Sequence, residues 1–98
     1  MTNLLEVPEW NGRTMVSRTL VGEGGLKVVL FHFAAGHELA AHRAPGAITI
    51  QFLAGVGELF ENGEWSAVQV GDFVAMGPGQ EHAVRATSSL TMLLTLVR

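Results

Sequence analysis

Cysteine is absent from the 98-residue chain, which excludes disulfides, thiolate metal sites and cysteine nucleophiles. Charge is scarce as well: charged residues make up 15% of the sequence, against a usual share of about 25%. Asp72 is the one aspartate, so chemistry built on paired carboxylates has little to draw on. The six bases (Arg13, Arg18, Lys27, Arg43, Arg85, Arg98) stand singly along the chain. They form no patch, which speaks against a nucleic-acid surface or a polybasic membrane contact. No apolar run approaches the roughly 18 residues of a membrane span. No basic start followed by a cleavage site is visible either, and the expected location is the cytoplasm. Repeats, low-complexity segments and linkers are missing, so one domain over residues 1–98 is expected. No stretch carries helical periodicity between caps.

What the chain does have is apolar residues, at 48%, and twelve glycines spread along its length. Between the glycines lie short runs rich in Val, Leu, Ile, Phe and Thr, the pattern of strands bounded by turns. Strands are expected near Thr14–Val21, Leu26–Phe33, Leu39–His42, Ala47–Ala54, Gly57–Glu61, Trp65–Val70, Phe73–Met76, His82–Ala86 and Leu90–Val97. Asn62-Gly63 supplies the positive φ angles of a type I′ turn and predicts a hairpin over Gly57–Val70. Asn11-Gly12 and Glu23-Gly24-Gly25 are further turn signals. Short strands at this spacing predict an all-β fold, and the length suits one small antiparallel barrel, closed or nearly so.

Four histidines, His32, His37, His42 and His82, are the side chains best suited to metal ligation or proton transfer near neutral pH. Gly36 is followed after five residues by His42, and Gly55 closes that segment. Further on, Gly71, Gly79 and His82 recur at a fixed spacing, with Pro78 beside Gly77. On these residues the sequence resembles the cupin superfamily, and specifically its small single-domain members. Motif one spans about 36–55 and motif two about 71–86, within a likeness that covers Lys27 to Val97. The resemblance implies a jelly-roll barrel of two sheets packed face to face. It also implies metal ligation by His42 and His82. Ala44 stands at the family's second histidine position, Ile48 at its glutamate position, and Ala86 at the motif-two asparagine.

Under that resemblance the barrel lumen is lined by His32, Ala44, Ile48, Phe52 and Val84 around the two imidazoles, a small and largely apolar pocket. His37 is expected to be solvated, as are Glu38 and Arg43 near the barrel mouth, and Met15, Met76 and Met92 to pack as core residues. Two function classes remain open. In one, the protein acts on a small organic ligand with a divalent transition metal (Zn, Ni, Fe, Mn or Cu) held by His42 and His82. In the other, it holds no metal and is a ligand-binding or sensing module; a purely structural barrel is a third reading. A homodimer is expected too, because both faces of Leu90–Val97 are apolar. The competing reading lets the segment around Leu4, Leu5, Val7 and Trp10 cover one of those faces within a single chain.

Overall fold

Runs of β-branched and aromatic residues separated by glycine form nine strands in the computed structural model, which describes residues 1–6 and 10–98. The strands are β1 (Met15–Glu23), β2 (Leu26–Phe33), β3 (Glu38–Arg43), β4 (Ala47–Ala54), β5 (Val56–Glu61), β6 (Glu64–Gln69), β7 (Phe73–Met76), β8 (Glu81–Ala86) and β9 (Leu90–Val97). All the expected strands are present, with ends that coincide or differ by one or two residues, and no helix occurs among the described residues. None of the described residues forms a helix long and apolar enough to cross a membrane. The Asn62-Gly63 hairpin forms as the sequence predicts. Glu61 pairs with Glu64, leaving a two-residue loop, and φ is 52° at Asn62 and 78° at Gly63.

All strand pairs are antiparallel, and they build two sheets. One has the order β1-β2-β9-β4-β7 and the other β3-β8-β5-β6. The expectation of a closed barrel is corrected here, because no ladder joins an edge of one sheet to an edge of the other among the described residues. The reason lies in the connections. Only the β1–β2 and β5–β6 hairpins stay within a sheet, and every other link crosses from one to the other. Strand alternation and turn spacing are the same for a sandwich and a closed barrel, so the sequence pattern does not separate them.

One crossing shows why glycine is required. Gly55 carries the chain from β4 to β5 with φ at 83°, and a Cβ there would run into the carbonyl of Ser89. Both the left-handed backbone and the close approach exclude a side chain. The core fills the space between the sheets, with Phe33, Ile50, Phe52, Val84, Leu90 and Met92 almost fully buried. Met76 belongs to this core and Met15 packs against it, as expected of structural methionines.

Candidate functional site

The site starts from an irregularity in β3. Leu39 pairs with Val84 and His42 pairs with His82 on β8, so Ala40 and Ala41 stand opposite the single residue Ala83. In a regular strand, residues an odd number apart point to opposite faces. The extra residue of this bulge lets both Leu39 and His42 turn to the inner face. His42 therefore meets His82 across the ladder, with ring centroids 4.2 Å apart and planes at 61°.

The two imidazoles are held in the same way. His42 Nδ1 lies 3.0 Å from the Ala40 carbonyl oxygen. His82 Nδ1 lies 3.1 Å from that of Gln80. A carbonyl oxygen can only accept, so each Nδ1 carries the hydrogen and donates it. Each Nε2 is left with its lone pair in the neutral ring. His82 is fully buried, and its Nε2 has no hydrogen-bond partner among the described residues. Burial pushes the His82 pKa below the ordinary imidazole value. The Gln80 carbonyl works against that fall and the neighbouring His42 adds to it. The ring is thus kept neutral, the state in which imidazole binds a metal or accepts a proton.

Both histidines line a cavity of about 220 Å³. Val29 and Phe31 of β2, Leu94 and Leu96 of β9, and Ile48 of β4 supply its apolar wall from the five-stranded sheet. Leu39, Ala44 and Pro45 close it from the side of the smaller sheet. Two charged side chains, Lys27 and Arg43, also line it. Arg43 is held in place by its guanidinium, which donates to the Gly79 carbonyl at 2.7 Å. The Gly79 amide in turn donates to Ala44 at 2.9 Å. These two bonds tie the end of β3 to the β7–β8 turn beside the cavity mouth.

The structure sorts the residues that the sequence brings forward. His42, His82, Ala44 and Ile48 come together at the cavity. Phe52 and Val84 sit between the sheets but belong to the closed core and do not line this cavity. His32 is a correction: it lies on the outer face of the five-stranded sheet, away from the cavity. There its Nδ1 shares a 3.0 Å hydrogen bond with Thr91 Oγ1, and its ring stacks on Trp10 at 5.4 Å. Burial, and then the charge of Arg18, push its pKa down. The physical reason is parity. In β2, Val29 and Phe31 take the inner face, so Leu30 and His32 take the outer one. Both sets read as apolar in the sequence, and only the partner strands decide between them. His37 and Glu38 are exposed, in keeping with solvated residues. Arg43 is exposed but borders the cavity, and Lys27 shares the parity of Val29 and Phe31. Sequence reading passed over Lys27 as a site residue because that parity means nothing until the inner face is known.

No cluster of three or more His, Cys, Asp or Glu positioned to hold a metal occurs among the described residues. The sequence pattern of the cupin domain matches residues 29–98. A conserved protein of unknown function from Streptococcus pyogenes is 33% identical, with a TM-score of 0.81 over 87% of this chain and 75% of that one. An RmlC-like cupin protein from Desulfovibrio desulfuricans is 28% identical, with a TM-score of 0.87 over 99% of this chain and 94% of that one. Salicylate 1,2-dioxygenase from Pseudoaminobacter salicylatoxidans is 19% identical, with a TM-score of 0.79 over 85% of this chain and 26% of that one, a likeness of fold alone. No curated protein is significantly similar to the chain.

Proposed function

The chain belongs to the cupin family, and from that premise we propose that it is a small-molecule-binding cupin whose cavity holds one divalent transition metal through His42 and His82. The observation that carries this reading is the buried Nε2 of His82, which has no partner while its Nδ1 is occupied by a backbone carbonyl. An unpaired buried polar atom costs about 1–3 kcal/mol, so its persistence calls for an external partner. The fit is favourable for a metal in one further respect. Histidine ligands commonly donate the second ring nitrogen to a carbonyl, which fixes the tautomer, and both imidazoles here do so. Neutral imidazole suits Zn, Ni, Cu and Fe. When bound, the metal would supply Lewis-acid polarisation of a ligand oxygen. The protein's own part is to orient the two imidazoles, to keep His82 neutral and to surround the ligand with an apolar wall.

A second reading is favoured by a specific observation. Ala44 and Ile48 border the cavity where the family's remaining ligands would stand, so the described residues that line it supply two imidazoles and no carboxylate. In that case the His82 Nε2 accepts a hydrogen bond directly from the organic ligand, and the chain is a metal-free binding module. Metal content of protein purified without a histidine tag decides between them. Stoichiometric metal that is lost in His42→Ala and in His82→Ala supports the first reading. Metal-free wild-type protein whose His82 signals shift on ligand addition supports the second.

The proposal extends to a homodimer formed on the outer face of the five-stranded sheet. Leu26 and Val97, paired in register, and Phe73 on β7 keep 39%, 54% and 62% of their surface exposed on that side. Trp10 covers part of the same face by stacking on His32, which supports the competing single-chain reading, and Val7 lies outside the described residues. Light scattering separates them, since a mass near 10.5 kDa overturns the dimer and one near twice that supports it.

A further inference from the structure

The charge around the cavity runs against the charge of the chain. The sequence carries nine acids and six bases, a net charge of -3. Yet among the described residues the two charged side chains that line the cavity, Lys27 and Arg43, are both cations, and no Asp or Glu lines it. The carboxylates nearest in register are Glu61, opposite His82, and Glu81, opposite Arg43. Neither lines the cavity, and the ion pair formed among the described residues is Arg85 with Glu58 on the outer side of the smaller sheet. Arg43 spends NH1 on the Gly79 carbonyl, which fixes its direction and leaves the other guanidinium donors for a ligand. The rest of the wall is apolar apart from the two imidazoles.

From this arrangement we infer that the ligand is a small organic anion, a carboxylate carried on a compact apolar body. Its charge sits between Lys27 and Arg43, and its body lies against Val29, Phe31, Leu94 and Leu96. A guanidinium and an ammonium at the rim of the cavity attract an anion, and the planar guanidinium matches the two oxygens of a carboxylate. A neutral ligand of the same shape would leave both cations solvated and gain only the apolar contact. The size agrees, since about 220 Å³ falls below the roughly 300–1,000 Å³ of pockets for drug-sized ligands. The inference rests on the cavity being the ligand site proposed above; where no metal is held there, the body also carries one hydrogen-bond donor for the His82 Nε2.

The test uses three compounds of one shape and different charge: benzoate, benzamide and benzylamine. Each is titrated against the full-length protein by calorimetry and by NMR shift mapping, with and without chelator. Benzoate is expected to bind about tenfold more tightly than benzamide, a difference of about 1.4 kcal/mol, and benzylamine more weakly than both. The preference should shrink as salt is raised. It should fall to within about twofold, or about 0.4 kcal/mol, in Lys27→Met and in the Lys27→Met, Arg43→Gln pair. Lys27 is exposed, so the single variant reports even where the pair folds poorly. Benzamide binding as tightly as benzoate at the cavity, a preference that survives both variants, or no binding of any of the three at millimolar concentration overturns the inference. Shifts that map away from His42, His82 and Phe31 overturn the reading of the cavity as the site instead. Metal content, measured separately, leaves the anion inference untouched.

Discussion

Two histidines are buried in this molecule, and they differ in one atom's surroundings. His32, on the outer face of the five-stranded sheet, shares its Nδ1 hydrogen bond with Thr91 and lies under Trp10. His82, between the sheets, has Nδ1 on the Gln80 carbonyl and a buried Nε2 with nothing to meet it. Burial lowers the pKa of both, so neither a shifted pKa nor burial distinguishes a packing histidine from a functional one. The distinction lies in the orphaned lone pair and in the cavity beside it. His32 completes a polar pair inside an apolar face, whereas His82 presents an unfinished one.

The sharpest way to break the contrast is to remove each histidine and read metal. His82→Ala and His42→Ala should each weaken metal binding by more than the roughly 10–100-fold that loss of an outer-shell partner costs. His32→Ala should leave metal affinity unchanged, and competition with a chromophoric chelator measures all three. Equal losses at His32 and His82 would erase the difference drawn here.

The next effect is on stability and has the opposite distribution. Thr91→Val leaves the buried Nδ1 of His32 without a partner and should cost about 1–3 kcal/mol in urea unfolding. Joining it to His32→Phe removes both polar groups and should recover much of that loss. A double variant as unstable as Thr91→Val alone would show that the hydrogen bond is not what holds this face. Trp10→Ala should lose about 0.5–1.5 kcal/mol from the stacking contact with His32, in addition to the area the ring buries and its Nε1 hydrogen bond to the Thr14 carbonyl.

The smallest effect is on pH dependence. The folded pKa of His32 lies below the unfolded value of about 6.5. Between the two values the unfolded chain binds the proton and the folded chain does not, so stability rises with pH in that window. The contribution is complete above about pH 6.5 and is lost as pH falls toward the folded value. His82 acts with the same sign, so the His32→Phe, Thr91→Val protein should keep part of the acid loss. Melting temperatures recorded from neutral pH downward check this, and unchanged acid sensitivity in that variant would assign the loss elsewhere.

How much of this was legible in the sequence differs by element. The β5–β6 hairpin is written in Asn62-Gly63, because few residue pairs tolerate two positive φ angles in succession. The pairing of His42 with His82 is carried by the motif resemblance and by their positions near two turns. The bulge that turns His42 inward leaves no mark, since Ala40-Ala41 carries no glycine and both residues suit either face. The misplacement of His32 has the same origin in β2, where Leu30 and Phe31 are equally apolar and alternation has no sign. Arg43 is expected near the mouth from the sequence, whereas Lys27 became visible as a cavity residue only once the register of β2 with β9 was known.

The carbonyls that hold the two imidazoles have a common origin. Ala40 lies in the β3 bulge, and Gln80 lies in the turn just before β8. In an uninterrupted ladder, the carbonyls that face a neighbouring strand are committed to it. Backbone that has stepped out of the ladder has an oxygen to spare, and here two such oxygens decide which nitrogen of each ring is protonated. A β3 shorter by one alanine would pair regularly and still carry Leu39 and His42 inward. It would, however, remove the irregularity from which the Ala40 carbonyl reaches the His42 ring. The spare residue is therefore a proton-placement device written in chain length, and no side-chain substitution at Ala40 or Ala41 is equivalent to losing it.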